Sequence, residues 1–389
     1  MKIVHIEFAK TGTNLSGGEV CMLEIMREFQ HFGHINVLLT TDNGAATYKK
    51  YYNGSVHPEY IEVPSYSSEK KYGVFISYII RTIRAVRMVK QLDTLKPDYI
   101  ICHSEFFPNS IPYYFLMKKY PTVKNSAFYH MKAPSIFKGY EGEFTNKLQF
   151  PRPTIIHYNL NQYLFRKLTP ANANILTVNN YYKKFLETKY PHNKIVVLNN
   201  YGQGDVKDIA DAKKDIDLLW VGRFHAQKGL MDFLAIVKEI ARQKRDVKAV
   251  IVGDGDTSIK SRAIRFIEQE NLVNNVRMVG FLTGDEKASY FKKSRIYAMT
   301  STYESFGQVV LEAMSYKVPV IAYALPVYEV FGEGITKVNV LDTECFAASV
   351  LDILSSEEIY QKKSNDSAAQ AMRHSWKITS EKILDSITK

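Results

Sequence analysis

The sequence of 389 residues contains little cysteine, little tryptophan and no long hydrophobic run. Three cysteines that lie far apart, Cys21, Cys102 and Cys345, exclude a disulfide scaffold and fit no zinc-ligand spacing. No segment approaches about 18 uninterrupted apolar residues, so we expect no membrane-spanning helix. The first residues, MKIVHIEFAKTG, lack the apolar segment of a secretory signal, and we expect a cytoplasmic protein. With 46% hydrophobic residues the chain can build cores, and its length predicts two domains, or three.

Acidic residues are scarce in the first half only. Residues 1–200 contain 25 Lys and Arg against 14 Asp and Glu, a net charge of +11, whereas residues 201–389 contain 26 of each kind. A general preference for lysine would affect both halves, so the asymmetry indicates an anionic partner: a nucleic acid, an anionic membrane surface or an anionic substrate. No helix-turn-helix, zinc or RNA-binding signature supports a nucleic acid, and we expect none.

A helix predicted over residues 75–91 carries part of this charge. Its arginines would form one stripe and its β-branched residues a second: Arg81, Arg84 and Arg87, beside Ile79, Ile83 and Val86. Further cations of the first half are Lys49, Lys50, Lys70, Lys71, Lys118, Lys119, Lys132 and Lys138. At about 1 kcal/mol per cation near an anionic leaflet, three or four suffice for reversible attachment. We therefore expect peripheral association with the cytoplasmic face of the membrane; the alternative is a basic helix face that is only packed on the sheet and solvated.

Short apolar runs alternating with helical periodicity predict an α/β protein with doubly wound parallel sheets. The chain opens with a strand, a glycine-containing loop over residues 11–18 and an amphipathic helix. Strands are predicted over 2–8, 36–40, 99–103, 125–130, 154–158 and 174–178, and after a linker over 199–217 again over 217–221, 248–252, 276–279, 296–300 and 318–322. Helices are predicted over 229–243, 260–270, 285–293 and 306–315. Two α/β domains in series follow from this pattern.

Two cations lie on the loop after the first strand of the second half, in the segment Gly-Arg-Phe-His-Ala-Gln-Lys-Gly over residues 222–229. Arg223 and Lys228 are five residues apart and can converge on one anion. Arginine offers a planar fork to phosphate oxygens, and lysine offers a point charge. Taken alone, two solvated cations on a loop would be an equally good interpretation.

Two glutamates farther along the chain strengthen the interpretation. Glu304 precedes the helix predicted over 306–315, and Glu312 lies within it. If the helix extended to cover both, they would lie on nearly the same face. Carboxylates accept strong hydrogen bonds from vicinal hydroxyls, and backbone N–H groups around 305–307 can cradle a diphosphate. Either glutamate alone would be interpreted as surface charge. Together with the two cations, they suit a sugar nucleotide.

On these residues the chain resembles the GT-B glycosyltransferases, and most closely family 4, the retaining enzymes that use nucleotide sugars. The resemblance covers nearly the whole chain and includes residues 250–255, 276–281, 319–322 and 327–330, with weaker matches at Gly17-Gly18-Glu19, His130 and 197–199. It implies two Rossmann-like doubly wound domains facing each other across a cleft. The expected domains are acceptor-binding over 1–200 and nucleotide-sugar-binding over 201–365, with a segment over 366–389 whose helix packs back toward the N-terminal domain.

The resemblance also implies a role for each residue of the site. Arg223 and Lys228 would bind the donor diphosphate, while Glu304 and His130 would act at the transferred sugar, so these four are the catalytic candidates. Glu312 would accept from the ribose hydroxyls. The other donor-binding candidates are Gly17, Gly18, Gly253, Gly280, Phe281, Ser305, Phe306 and Gly307. For His130 the alternative is a histidine satisfied within the core.

No metal and no further cofactor are expected, because the two cations would neutralise charge on the departing diphosphate. The segment Asp254-Gly255-Asp256 resembles an Asp-x-Asp metal motif but lies in a glycine turn after a strand, and we discount it. No carboxylate nucleophile is evident, and the resemblance implies retention by front-face attack. The implied donor is a UDP-hexose or UDP-N-acetylhexosamine, or a GDP-sugar. The implied acceptor is a lipid-linked or surface-polysaccharide precursor of a bacterium, such as one of lipopolysaccharide.

Two departures from the family pattern favour an alternative function. Ala324-Leu325-Pro326 stands in a loop where the family has paired glycines, and Lys317 replaces a further glycine. The alternative is a non-catalytic glycosyltransferase-like subunit that binds an acceptor or supports a partner enzyme. The four intact residues Arg223, Lys228, Glu304 and Glu312 oppose it.

Overall fold

The computed structural model describes residues 1–10, 15–52, 57–65, 69–140, 144, 148, 150, 152–207 and 213–388. The chain divides into two compact units. The first is Met1–Gly139, Leu148–Tyr201 and Trp376–Lys389, and the second is Tyr140–Lys147 and Gly202–Ser375. The chain passes from the first unit to the second between Tyr201 and Gly202, and it re-enters the first unit at Trp376. Residues 11–14 of the first loop and 208–212 of the linker lie outside the described residues.

The first unit is built on a seven-stranded sheet in the order β3-β2-β1-β4-β5-β6-β7, and every pairing is parallel. Its strands are β1 Lys2–Glu7, β2 Ile35–Thr41, β3 Glu59–Val63, β4 Tyr99–Cys102, β5 Lys124–Tyr129, β6 Asn174–Thr177 and β7 Ile195–Val197. Its helices are α1 Gly17–His31, α2 Asp42–Tyr52, α3 Glu69–Gln91, α4 Phe107–Lys119, α5 Pro153–Leu168 and α6 Lys183–Lys189. All four residues of β4 are buried, as helices on both faces of a parallel sheet require.

The second unit repeats this plan with six parallel strands in the order β10-β9-β8-β11-β12-β13. Its strands are β8 Ile216–Val221, β9 Ala249–Val252, β10 Val276–Gly280, β11 Ser294–Met299, β12 Val320–Tyr323 and β13 Ile335–Val338. Its helices are α7 Leu230–Gln243, α8 Thr257–Gln269, α9 Gly284–Lys293, α10 Gln308–Ser315, α11 Thr343–Ser355 and α12 Glu357–Ala371. The last helix of the chain, α13 Trp376–Thr388, belongs to the first unit.

Both sheets reverse their strand order beside their first strand. β1 lies between β2 and β4, and β8 lies between β9 and β11. The carboxyl ends of the strands leave a crevice at such a reversal, and ligands of doubly wound sheets bind there. The predicted class, two Rossmann-like α/β domains, is confirmed. The reversal in each sheet shows where its functional residues should be sought.

The strand predicted over residues 154–158 is wrong, because these residues lie in helix α5. Pro153 begins this helix after Arg152, which has an extended backbone; proline favours the first helical turn because its missing N–H would have no helical partner there. Two adjacent apolar residues, Ile155 and Ile156, fit the sequence pattern of a buried strand and that of a helix equally well. In the helix Ile155 is buried and Ile156 is exposed. Three short strands, β3, β7 and β13, were not predicted.

Helix α3 confirms the helix predicted over 75–91, but it presents a different face to solvent. Arg81 is 1% exposed, and its guanidinium donates a hydrogen bond to the carbonyl of Lys10. Arg84 donates to the carbonyl of Pro64 at 2.7 Å. Arg81 therefore departs from the expected arginine stripe, whereas Arg87 is exposed. Each step of three residues turns 300°, so the three arginines drift around the helix and do not share one narrow stripe. The side chains of Lys70 and Lys71 lie outside the described residues.

Candidate functional site

The loop of residues 222–229 joins β8 to α7 at the reversal of the second sheet. Its backbone is tied to the strand beside it, because Gly222 N donates to Val252 O at 3.0 Å and Phe224 N donates to Asp254 O at 2.9 Å. Arg223 is exposed on this loop, and it has no ion-pair partner among the described residues. The loop therefore holds one guanidinium at the carboxyl edge of the sheet, accessible to a ligand.

Lys228 forms an ion pair with Glu304, across 76 residues of sequence. The Lys228 side chain is 24% exposed and the Glu304 side chain is 9% exposed. The loops that carry them are fastened to each other, since Thr302 N donates to Gln227 O at 2.9 Å and Gln227 Nε2 donates to Tyr303 O at 3.3 Å. The structure thus brings together two predicted catalytic residues, at the ends of the neighbouring strands β8 and β11.

The helix predicted over 306–315 begins two residues later than expected, and Glu304 precedes it as predicted. Helix α10 begins at Gln308, after Gly307 with a φ of 93°, so it includes Glu312 and not Glu304. Ser305 lies between Glu304 and the helix start as expected, but Phe306 is 1% exposed and its ring packs against Phe331. Phe306 can therefore offer a ligand only its backbone. The backbone N–H groups at the start of α10 are in the place expected for an anion.

Glu312 is paired with a lysine that sequence reasoning missed. Lys287 of α9 places its Nζ 2.8 Å from one carboxylate oxygen of Glu312 and 2.9 Å from the other. The two side chains are 26% and 30% exposed, respectively. No local pattern could have revealed this contact, because Lys287 precedes its partner by 25 residues and lies on another helix. Each acid of the site thus faces one ammonium group.

Two predicted glycines occupy neighbouring strand ends. Gly253 has a φ of 148°, and a Cβ there would lie 1.8 Å from the carbonyl oxygen of Gly222, so only glycine fits. Its N–H donates to the carbonyl of Gly280, at the end of β10, at 2.7 Å. Phe281 follows and is 57% exposed. An exposed aromatic ring at the carboxyl edge offers a flat apolar surface, as a nucleobase requires.

The Asp-x-Asp segment is engaged within the fold. The carboxylate of Asp254 accepts from Gly255 N at 2.9 Å and pairs with Lys260 at 3.1 Å. Asp256 caps α8 by accepting from Ser258 N at 2.8 Å. These bonds hold the pKa of both carboxyls below their usual range. In the described part of the chain, no three His, Cys, Asp or Glu side chains are grouped as metal ligands would be.

In the first unit, the structure brings Gly17, Gly18 and His130 together. Gly17 and Gly18 begin α1, and a Cβ on Gly18 would lie 3.4 Å from His130 Nε2. His130 Nε2 lies 2.7 Å from the carbonyl oxygen of His103. A carbonyl can only accept, so Nε2 carries the hydrogen and Nδ1 is the ring nitrogen that can exchange a proton. Its ring also stacks on Phe128, at 5.3 Å between centroids.

A buried polar cluster beside these residues was not predicted. Glu7, at the end of β1, accepts from Asn109 Nδ2 at 2.9 Å and from Ala9 N at 3.0 Å. Burial raises the pKa of Glu7 to about 8, and the nearby Glu19 carboxylate adds to this. Lys10 and Glu19 form a buried ion pair at 3.5 Å. The signal that could have revealed the cluster is the position of Glu7 at the carboxyl end of the strand where the order reverses.

Glycosyltransferases are among the known proteins to which this chain is similar. Residues 205–371 match the family described as glycosyl transferases group 1. An uncharacterized glycosyltransferase of Methanocaldococcus jannaschii is 28% identical over 187 residues, 46% of this chain and 50% of that protein. An N-acetylgalactosamine-N,N'-diacetylbacillosaminyl-diphospho-undecaprenol 4-alpha-N-acetylgalactosaminyltransferase of Campylobacter jejuni is 33% identical over 118 residues, 30% of each chain. This chain thus matches about half, or less, of the length of these relatives.

A solved structure covers the whole chain. Anabaena Alr3699/HepE, in complex with UDP and glucose, superimposes with a TM-score of 0.70 at 14% identity over 100% of both chains. At this identity, the likeness shows a shared fold and leaves the function to be argued from the site.

Proposed function

We propose that the protein is a glycosyltransferase that uses a nucleotide-diphosphate sugar, since residues 205–371 match glycosyl transferases group 1 and the chain has a GT-B fold. The observation that carries the proposal is the Lys228–Glu304 pair, which lies with Arg223 at the strand-order reversal of the second sheet. Cations, acids with accepting oxygens and a helix start are the groups that a sugar nucleotide needs.

In this proposal, the site residues of the second unit bind different parts of the donor. Arg223 and Lys228 bind the diphosphate, with help from the N–H groups at the start of α10. Glu312 accepts from the ribose hydroxyls, and the base lies against Gly280 and Phe281. A UDP-hexose or UDP-N-acetylhexosamine is the proposed donor, which the UDP complex of the similarly folded Anabaena protein supports. A GDP-sugar is the alternative.

The chemistry we propose is stabilisation of the leaving group. Breaking the bond between sugar and phosphate leaves negative charge on the diphosphate, and cations fixed beforehand lower the barrier. Glu304 holds the Lys228 ammonium in place before the donor arrives, so little reorganisation is needed. Losing one of these cations costs roughly 3 kcal/mol of transition-state stabilisation, which lowers the rate by about 100-fold. We propose that these cations act without a metal ion.

We propose retention of configuration, as the family resemblance implies, with His130 acting at the transferred sugar. The hydrogen bond from Nε2 to His103 fixes the ring and leaves Nδ1 as its exchangeable nitrogen. The proposed acceptor is a lipid-linked or surface-polysaccharide precursor, and we propose that the first unit takes it at the cytoplasmic face of a membrane. The name of the Campylobacter relative, which includes a diphospho-undecaprenol, supports this acceptor class.

A thermal-shift panel of UDP-, GDP- and ADP-sugars tests the donor. A selective ligand at 100 times its dissociation constant should contribute about 2.7 kcal/mol of stability. Lys228→Ala should abolish that stabilisation and the release of nucleoside diphosphate by the purified protein. Lys362→Ala is the matched control, because Lys362 is exposed on α12 of the same unit. A variant Lys228→Ala that bound and cleaved the donor normally would refute the assignment.

Measuring nucleoside diphosphate release with the same sugar nucleotides tests the alternative, a non-catalytic subunit. Such a subunit would release no nucleoside diphosphate from any donor, with or without Lys228. The anomeric configuration of the sugar product, read by NMR, tests retention separately.

A further inference from the structure

Helix α3 buries Tyr78, Ala85 and Val89 together with several polar residues, and it exposes other large apolar residues. On the side that faces the unit, Ser77, Arg81 and Thr82 are at most 7% exposed. Other large apolar side chains of the helix are 40% to 48% exposed: Val74, Phe75, Ile76, Ile79 and Ile83. Ile76, Ile79 and Ile83 recur at spacings of three and four residues, on the side away from Arg81. A helix on a water-exposed surface normally shows polar residues on its outer side.

Helix α5 adds a second exposed apolar stripe. Ile156, Leu160 and Tyr163 are spaced four and three residues apart, which places them on one helix face. They are 48%, 39% and 53% exposed. Just before the helix, Leu148 and Phe150 are 80% and 94% exposed.

The two stripes meet at the beginnings of their helices. The ring of Phe75 on α3 lies 5.6 Å from that of His157 on α5 and 6.0 Å from that of Phe107 on α4. The exposed apolar residues of both helices therefore form one face, which we call the α3–α5 face. It is defined by Val74, Phe75, Ile76, Ile79, Ile83, Ile156, Leu160 and Tyr163. Contiguous apolar surface of this kind marks an interaction site.

The charged side chains on the two helix segments that carry this face are all of one sign. Residues 74–91 of α3 and 153–168 of α5 contain no Asp or Glu. Each apolar stripe continues along its helix into exposed cations, Arg87 and Lys90 on α3 and Lys167 on α5. The net charge of +11 in residues 1–200 adds to the positive electrostatic potential of this face. Apolar side chains with only cations beside them complement a surface that is anionic outside and apolar beneath.

On the premise of the proposed function, we propose that the α3–α5 face docks on an anionic lipid bilayer. The apolar side chains enter the boundary between headgroups and acyl chains, and Arg87, Lys90 and Lys167 lie at the level of the phosphates. Among the described residues, no helix is both long and apolar enough to cross a bilayer. The attachment is thus interfacial, and the contact is the apolar stripe rather than the predicted arginine stripe.

Vesicle co-sedimentation tests the docking. The wild type should bind phosphatidylcholine vesicles that contain phosphatidylglycerol, and it should bind pure phosphatidylcholine vesicles much less. The double variant Ile79→Ser/Ile83→Ser should lower the partition coefficient at least about tenfold, because it removes two inserting side chains. Arg87→Gln should lower it about fivefold on the anionic vesicles only. Ile35→Ser is the matched control: Ile35 is 59% exposed on β2, outside both helices, and its replacement should change nothing.

Four results would overturn the docking. They are no binding to either vesicle, equal binding to both, full binding by the double variant, and a double variant that turns a dimer into a monomer, which would make the face an interface between copies. Retention of the donor-induced thermal shift in the double variant shows that it folds. If vesicle binding fails while nucleoside diphosphate release persists, the docking is wrong and the proposed function stands.

Discussion

Replacing Lys228 by methionine, alone and together with Glu304→Gln, separates two contributions of one ammonium group. In the free protein this group neutralises Glu304, whose side chain is only 9% exposed. In the proposed reaction it also binds the donor diphosphate. Lys228→Met keeps the length of the side chain and removes the charge, so it disturbs both contributions. The second substitution, Glu304→Gln, removes the acid that the lysine neutralises.

The structure sets the magnitudes. Removing one partner of a fully buried ion pair costs 3–5 kcal/mol, but the Lys228 side chain is 24% exposed, so about 1–3 kcal/mol is expected for Lys228→Met. Glu304→Gln leaves a lysine that water can reach, and we expect about 1 kcal/mol or less. The double variant should recover most of the stability lost by the lysine variant. It should not recover donor binding, because no ammonium faces the diphosphate.

Urea denaturation followed by tryptophan fluorescence can resolve these changes in the second unit. The sequence contains two tryptophans: Trp220 lies in the second unit and Trp376 in the first. Trp220 is buried, and its Nε1 donates to Thr300 Oγ1 at 3.2 Å, beside the loop that carries Lys228. In a Trp376→Phe background, the signal therefore reports the unit of interest. Equal destabilisation of the single and double variants, or normal donor affinity in the double variant, would refute the reasoning.

Three further predictions concern the two sites. Glu312→Gln should weaken donor binding about tenfold or more in calorimetry, whereas Lys287→Met should change it less than about fivefold, because a partly exposed ion pair contributes little; equal effects would contradict the ribose assignment. The raised pKa of Glu7, about 8, means that the folded state holds its proton more tightly than the unfolded state. The free energy of unfolding should therefore fall as pH rises from about 4.5 to about 8, and Glu7→Gln should flatten that fall in denaturation midpoints. Gly253→Ala should destabilise the second unit by more than about 2 kcal/mol in urea, because its Cβ would meet the carbonyl of Gly222 at 1.8 Å.

Much of the sheet architecture could be predicted because parallel strands leave a strong local signal. β1, β4 and β9 are short apolar runs between helices, and the structure has strands at each. The run at 154–158 has the same composition, yet Pro153 starts a helix there. A local pattern thus identified apolar segments well and failed where strand and helix patterns coincide.

The residue types of the candidate site could be predicted from the sequence, but the ion pairs between these residues could not. Arg223 and Lys228 could be placed on one loop because they lie in one short segment. The contact of Lys228 with Glu304, and of Lys287 with Glu312, arises from the order of strands and helices in space. The orientation of Arg81 was missed for a similar reason, because the Lys10 carbonyl that accepts its hydrogen bond is 71 residues away.

The first unit is completed by the end of the chain. Trp376 of α13 is 3% exposed and its ring lies 4.9 Å from that of Tyr201, while Asn174 of β6 donates to the carbonyl of Ser386 at 3.0 Å. A fragment cut at the linker would lose this helix and leave an apolar groove and unpaired amides along its sheet. On a ribosome, the first unit must therefore wait for residues 376–388 to emerge before it can close its core. Anyone who dissects the protein should graft the terminal helix back onto the first fragment.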